Sequence, residues 1–566
     1  MGIFMGIFQR LSGGAFALGN IQVQHLLPPI ALFAGFIGGI PTFALSVSVG
    51  ADGIDARRLH EAPFNLTGRK IAIGQVEGGR PGLFGLDKLS TPNNPVTVNQ
   101  VLQLDGPAVA DEFVDNHANH VASVMISRDK QLIGVAPDAT LFSAAIGPLN
   151  SESSGQPQEC VTTQHIALRN SGDVRAINFS FGEPLISDPR PNASLDGDAL
   201  LTQCVDWSSI THDALYVIAG NQGGGGIPIP TDNFNGINVA YSTQVAGRFT
   251  KIDYANAGSE PTFNPRGTAS PESNVGPRRS ISLVAPGDDI SLLNPNGQET
   301  FSSGSSFAAP HVAATVALLQ EWGDRQIRSG QPRWSLDARD PMVMKAVLLN
   351  AADKIMDTGD GQNLGMARTL LDEANRTWIE SDAYSNQQIP LHNELGTGHL
   401  NAFRAYQQFN GGQWEPGNVA IQGWDYNSLP MATPSENGSL AYAEYIIEPP
   451  LKADSYFAAT LTWERQVTLA DDNNNGLYDS GESFSNNGLN DLNLYLMPID
   501  EDDISKSIWS SVSEVDSVEH IFYKIPQTGR YKLRVVYRQQ VTTETPQSYG
   551  LAWWGASSEA ISNTQP

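Results

Sequence analysis

The sequence predicts an α/β domain, a parallel sheet with helices on both faces, followed by a C-terminal all-β sandwich. Two patterns predict it. Up to residue 410, short apolar runs alternate with helical stretches, as βαβ units require. Beyond residue 425, apolar residues fall on every second position, as half-buried strands require. In chain order, residues 1–51 come first. Arg10 is the only formal charge before Asp52, and residues 26–51 are apolar or small, with Pro28, Pro29 and Pro41 among them. A membrane-spanning helix accommodates that many prolines poorly, so the stretch reads as a signal peptide cut near Val49-Gly50-Ala51, with an uncleaved membrane anchor as the alternative. Residues 52–410 carry the α/β pattern, with strands expected at 71–76, 141–146, 176–181, 215–219, 237–240 and 282–284. The turn-forming run 411–425 reads as a linker. The sandwich, 426–556, takes its strands from 442–447, 457–463, 492–496, 518–525, 531–537 and 549–554, and 557–566 is a tail.

The segment 304–314, GSSFAAPHVAA, lifts a serine out of a small-residue turn into the start of an apolar helix. Gly304 permits a tight backbone, Ser306 sits where unpaired helix N–H groups can meet an oxyanion, and Ala308 and Ala309 leave room for a substrate. Pro310 reads as close enough to the helix start for its missing N–H to have no partner there. Taken alone, the segment is equally a nucleophile turn or a capped core helix. It has companions in NHANHVAS at 116–123, YVIAGNQG at 216–223, VRAINFSFG at 174–182 and KIAIGQVEGG at 70–79, with shorter ones at 134–137, 284–287 and 345–352. Taken in chain order they resemble the motifs of subtilisin-like serine proteases, the subtilases, over roughly residues 66–405. The resemblance implies Ser306 as nucleophile, His117 as general base and Asn221 as oxyanion-hole donor. It also implies a substrate edge at Ser180, Phe181 and Gly182, facing Ala219 and Gly220.

The acidic member departs from the family pattern, since the early strand offers Glu77 where Asp is expected and Gln75 is uncharged. A glutamate can accept from the imidazole Nδ1–H and stabilise the imidazolium if its backbone sits about one methylene further back. Ala118 and Asn119 stand where the family has Gly and Thr, so packing beside the base is expected to differ. His120, one helical turn from His117, and His311 read as structural, and no third ligand is spaced for a metal. The leading reading is an exported serine endopeptidase acting through an acyl-enzyme. The competing reading is a catalytically inactive subtilase-fold scaffold that binds peptides or adheres, with Glu77 a solvated loop carboxylate.

A formal net charge of −26 over 566 residues, with 40% hydrophobic content, argues for a large core and against nucleic acid or an anionic membrane surface as partner. Protein or peptide substrates are expected, a membrane only if the leader stays uncleaved, and the chain is expected to be a monomer that is secreted, periplasmic or on the cell surface. Many subtilases carry a long inhibitory pro-domain; the short run from Ala51 to Lys70 suggests none here. Cys160 and Cys204 open two helical stretches on either side of the strand around Ile177, and an oxidising compartment would join them; two buried thiols is the alternative.

Within the sandwich, DDNNNGLYDSGE at 471–482 matches the twelve-residue calcium loop D-x-N-x-N-G-x5-E. Asp471, Asn473 and Asn475 would give side-chain oxygens, Leu477 its carbonyl, Asp479 a direct or water-mediated contact and Glu482 a bidentate carboxylate. Strands rather than helices are expected on both sides, so this is read as an isolated, structural Ca2+ loop, the alternative being a hairpin that binds nothing; no cofactor is expected for catalysis. Segments 492–496 and 528–535 make the sandwich resemble the pre-peptidase C-terminal type of domain that follows secreted bacterial proteases.

Overall fold

The apolar runs of the first part of the chain form the middle of a ten-stranded sheet. The computed structural model describes residues 45–147, 155–220, 229–245, 248–251, 261–263, 269–271, 274–275, 277–430, 440–542 and 546–558. Strands Ala72–Glu77, Thr140–Ala145, Val174–Phe179, Leu215–Ala219, Ile237–Val245 and Leu283–Pro286 run parallel to their neighbours in this group. Ala72–Glu77 lies between Thr140–Ala145 and Val174–Phe179, and all of its residues are buried. A strand buried on both faces has no polar side to show, which is why these runs are continuous rather than alternating. One face packs on helices Asn116–Ile126 and Ser305–Arg328, the other on Gln156–Ala167 and Leu200–His212. Cys160 and Cys204 join the last two helices by a disulfide, with Cα atoms 5.8 Å apart.

The leader boundary read at residue 51 is corrected. Val49 and Ile54 are fully buried in the core beneath the Ser305–Arg328 helix. Ser48 Oγ lies 2.9 Å from His311 Nε2, and the Ala402 N–H donates to the Ile54 carbonyl at 2.7 Å. The helix Leu45–Val49 is therefore part of the folded domain, and a cut at 49–51 would strip it away. Small and apolar residues that fill a core have the composition of a leader, so the two were indistinguishable by composition. Residues 1–44 of that call lie outside the described residues. Among those described, no helix is long and apolar enough to cross a membrane.

The C-terminal region is built from a five-stranded and a four-stranded sheet, largely antiparallel, packed face to face over one core. The first contains Gly417–Val419, Tyr442–Ile447, Tyr531–Gln539, Asp491–Pro498 and Trp509–Ser511; the second contains Gln422–Leu429, Gln547–Trp554, Tyr456–Thr462 and Val518–Lys524. Two of these strands, Gly417–Val419 and the start of Gln422–Leu429, occupy the span read as a linker. Trp424 there is fully buried and its indole N–H donates to the Phe409 carbonyl at 2.8 Å.

The four-stranded sheet is covered on its outer face as well. Every residue of Tyr456–Thr462 is buried, where alternation led us to expect one wet face. Thr460 Oγ1 donates to Asn350 Oδ1 at 3.1 Å and Thr462 Oγ1 to the Met342 carbonyl at 2.9 Å, both on helix Pro341–Asn350. A Cβ on Gly550 would come 2.6 Å from that backbone, so only glycine lets sheet and helix approach so closely. Threonine methyls and hydroxyls suit such a face, and their polarity disguised it as solvent-exposed. The described residues belong to one compact unit spanning 43–566.

Ser48→Ala is expected to cost ~1–3 kcal/mol by leaving the buried His311 Nε2 without this partner, measured by urea unfolding. A chain starting at Asp52 should unfold at lower urea than one starting at Phe43.

Candidate active site

Glu77 is the last residue of its strand, and its side chain is 2% exposed. Its Oε2 lies 3.2 Å from His117 Nδ1. His117 opens the helix Asn116–Ile126, whose N-cap Asp115 accepts the Ala118 N–H at 3.0 Å. Asp115 is placed in turn by its own N–H, which donates to the Arg80 carbonyl at 2.9 Å. Arg80 is locked by a fully buried fork to Asp87, both bonds at 2.7 Å. Gln75, unable to serve as the acid, donates to the Ala118 carbonyl at 2.8 Å, and Asn119 donates to the Leu293 carbonyl at 2.6 Å. The departures around the base thus have a physical use, holding the helix that carries it.

Ser306 stands in the first turn of helix Ser305–Arg328. Gly304 precedes it at φ 151°, and its N–H donates to the Gly287 carbonyl at 2.8 Å. A Cβ on Gly287 would sit 2.6 Å from the Gly304 oxygen, so this crossing of two turns needs glycine. Ser305 Oγ donates to the Gly220 carbonyl at 2.7 Å. Ser306 Oγ donates to the Ser180 carbonyl at 3.3 Å, and Ser180 Oγ returns a bond to the Ser306 carbonyl at 2.8 Å. Asn178 Nδ2 donates to Ser180 Oγ at 2.9 Å and so orients that hydroxyl.

Pro310 has a different part from the one its sequence position suggested. It lies inside the helix, four residues after Ser306, so its missing N–H is the group that would otherwise bond the Ser306 carbonyl. That carbonyl is instead taken by Ser180, which joins the Ser306 turn to the end of strand Val174–Phe179.

The structure brings Glu77 to His117, Ser306 to Ser180, and Ser305 to Gly220. Phe307, next to Ser306, packs its ring 5.6 Å from that of His117. Phe181, Gly182 and Ala219 are half-buried beside this cleft, and Asn221 lies outside the described residues. His120 bonds Asn294 Oδ1 at 2.8 Å, and His311 the Phe307 carbonyl at 2.7 Å, both away from Glu77.

A sequence model of the Subtilase family matches residues 44–374. The chain belongs to the subtilase family. Subtilisin NAT of Bacillus subtilis subsp. natto is 26% identical over 298 residues, 50% of this chain and 65% of that protein. A subtilisin of Bacillus pumilus is 25% identical over 301 residues, 50% of this chain and 90% of that one. The matched region thus spans 65% of the length of the first of these relatives. A solved cold adapted subtilisin-like serine proteinase is 19% identical, covering 54% of this chain and 89% of that chain with a TM-score of 0.34.

Electrostatics in this subtilase follow from burial and pairing. Burial pushes the Glu77 carboxyl above its ordinary value; the charge and hydrogen bond of His117 offset part of the rise, and Asp115 adds to it. Burial works against the His117 imidazolium too, but the Glu77 charge and hydrogen bond, helped by Asp115, outweigh it and raise the imidazole above 6.5. Stability from this pairing is full below the unfolded histidine value and is lost as pH rises through the higher folded one. The neutral imidazole that a general base needs therefore appears where that stabilisation fades.

The subtilase's 471–482 loop joins the hairpin strands Gln466–Ala470 and Ser483–Gly488. Asp471 accepts the N–H groups of Asn475 at 3.2 Å and Gly476 at 2.7 Å, and Gly476 turns at φ 75°. Asp479 Oδ2 faces the amides of Asn473 and Asn475 at 2.7 and 2.8 Å. Glu482 accepts the N–H of Asp472 at 2.9 Å and that of Asp479 at 2.8 Å. Among the described residues, no three His, Cys, Asp or Glu side chains converge as a metal cluster. The hairpin itself rests on the catalytic region: Tyr478 and Phe484 pack in the cluster around Cys160 and Cys204, and the Tyr478 N–H donates to Gln164 Oε1 at 2.8 Å.

Asp115 has the residue type of a helix N-cap, a type that carries no sign of its nearness to His117; Gln75 depends on a contact 43 residues away, and Asn178, which bonds Ser180 close by, gains its part only through the distant Ser306 carbonyl. A histidine titration by NMR should place His117 above 6.5 in the wild type. Glu77→Gln should move it downward, because the amide keeps an acceptor but loses the charge.

Proposed function

We propose that the protein is an exported serine endopeptidase. The observation that carries this reading is the buried Glu77 carboxylate on His117 Nδ1, beside the helix turn that bears Ser306. Rotation about χ1 releases the Ser306 hydroxyl from the Ser180 carbonyl and turns it to His117 Nε2. His117 takes the proton as Ser306 Oγ bonds to the scissile carbonyl carbon, and Glu77 stabilises the imidazolium. The Ser306 N–H and Asn221 hold the oxyanion. His117 then gives its proton to the leaving amine as the peptide C–N bond breaks, leaving an ester on Ser306. A water deprotonated by His117 attacks the ester, and the acid product leaves with Ser306 restored. The Cys160–Cys204 disulfide supports an oxidising destination, secreted, periplasmic or on the cell surface. Substrate backbone would pair along Ser180–Gly182 and face Ala219 and Gly220. The protein would act as a monomer.

In the same reading, the 471–482 loop takes Ca2+ in a structural capacity. The support is the turn already drawn round Asp471 and Gly476. Amide flips at Asn473 and Asn475 would present oxygens instead of N–H groups, and Asp479, Glu482 and the Leu477 carbonyl complete an all-oxygen set suited to a hard cation. Ca2+ would have to replace the amide bonds that Asp479 and Glu482 now accept.

Fluorophosphonate labelling of the full chain tests the catalytic reading. Ser306→Ala should abolish labelling, Glu77→Ala should slow it by about 10³–10⁴, and Asn221→Ala should cost peptide hydrolysis about 10²–10³. A folded wild type that does not label would favour the scaffold reading. Millimolar Ca2+ should raise the melting temperature, worth ~2.7 kcal/mol at a hundredfold excess over Kd, and Asp471→Ala should erase the rise. An unchanged melting temperature would reject the calcium assignment.

A further inference from the structure

A cavity of 920 Å³ lies where the catalytic region meets the sandwich, walled by the turn 360–365, the helix Ala402–Asn410 and the sandwich residues near 421, 452 and 554. Its charged lining is Arg58, Arg404 and Lys452 against Asp55 and Asp360, three cations to two anions, a net of +1. Most of the remaining wall is apolar, with Phe403 and Trp554 contributing rings and Leu364 and Ile421 aliphatic surface.

Arg404 is the unusual member. Its side chain is 2% exposed, and among the described residues none of its three guanidinium nitrogens has a hydrogen-bond acceptor. The carboxylate beside it, Asp353, already accepts from Arg368 Nη1 at 2.8 Å and from Asn401 Nδ2 at 2.9 Å through its other oxygen, and leaves Arg404 an ion pair at 3.6 Å. The guanidinium lies 4.5 Å over the Trp554 ring. Burial, partly offset by Asp353, pulls it down to about 10. A buried guanidinium cannot give up its proton at working pH, so Arg404 stays charged beside Asp353 Oδ1, at 3.6 Å and itself without a hydrogen bond among the described residues, and its donors remain open to a further acceptor. At the mouth, Lys452 Nζ donates a long bond of 3.4 Å to the Asp360 carbonyl.

We propose that this cavity binds a monoanionic carboxylate carrying an apolar body, with the carboxylate held by Arg404 and Lys452 and the apolar part against Phe403 and Trp554. The net of one positive charge favours a monoanion over a phosphate dianion. The flat guanidinium fork matches a carboxylate, and the volume lies within the range of small-molecule clefts. A fatty acid and the free C-terminus of an apolar peptide share this chemistry. Because the walls come from both parts of the chain, an occupant would tie them together.

The test is calorimetry on the full chain carrying Ser306→Ala, which silences the proposed protease and leaves this cavity untouched. The probes are octanoate, octanamide, N-acetyl-leucyl-phenylalanine and its C-terminal amide. At least one acid should bind saturably, and at least about tenfold more tightly than its amide; which acid does so identifies the source. Arg404→Met should weaken that binding about tenfold. Should that variant fail to fold, Lys452→Ala, at the half-buried mouth, should weaken it about threefold. Failure of both acids to bind, equal affinity for acid and amide, or wild-type affinity in the folded variants would overturn the proposal.

Discussion

The structure depends on keeping a carboxylate buried at the end of a central strand. Glu77 sits where water cannot reach it, held by His117 Nδ1 at 3.2 Å and by the Ser180 backbone. Such a group is tolerable only if a cation or a strong donor stays beside it, so the placement of His117 becomes a requirement of folding. The surroundings meet it from several directions. Asp115 caps the helix, Arg80 and Asp87 hold the loop that delivers Asp115, and Gln75 and Asn119 tie down the first turn. Aspartate would reach less far from the same strand end; glutamate spans the extra distance with one more methylene, and its added rotamer freedom is removed by burial.

The second half of the site is organised by a different device. A helix normally consumes its own carbonyls, yet the proline four residues beyond Ser306 leaves the Ser306 carbonyl unclaimed by the helix. Ser180 uses it, and Asn178 orients Ser180. The edge that would receive substrate and the turn that would attack it are thereby a single hydrogen-bonded unit.

Much of this was legible in the chain. The core strands fall within a residue or two of the expected positions at Ala72–Glu77, Thr140–Ala145 and Leu215–Ala219, because burial on both faces leaves a simple apolar signature. The Glu77 departure was visible, since strand end and motif coincide. What escaped notice shares one cause, contact with something far away in sequence. The first half of strand Gln422–Leu429 falls in the span read as a linker, and it is a strand because Trp424 and Asp425 meet Phe409, Gln413 and Tyr445. Helix Leu45–Val49 resembled a leader until His311 and the Ser305–Arg328 helix claimed it. Asn221 lies outside the described residues, so its place in the site rests on motif order alone.

The close seat of Gly550 on Met342 bears on how the protein comes into being. Strand Gln547–Trp554 lies inside the four-stranded sheet, between Gln422–Leu429 and Tyr456–Thr462, and a ribosome delivers it after every other strand of that sheet. Until it arrives, helix Pro341–Asn350 lacks the cover that this strand supplies, and that helix packs in the same core as the one bearing Ser306. The order of synthesis therefore sets a clock: a nascent chain could assemble most of its cleft, but one wall supporting it arrives only with the strand that completes the four-stranded sheet.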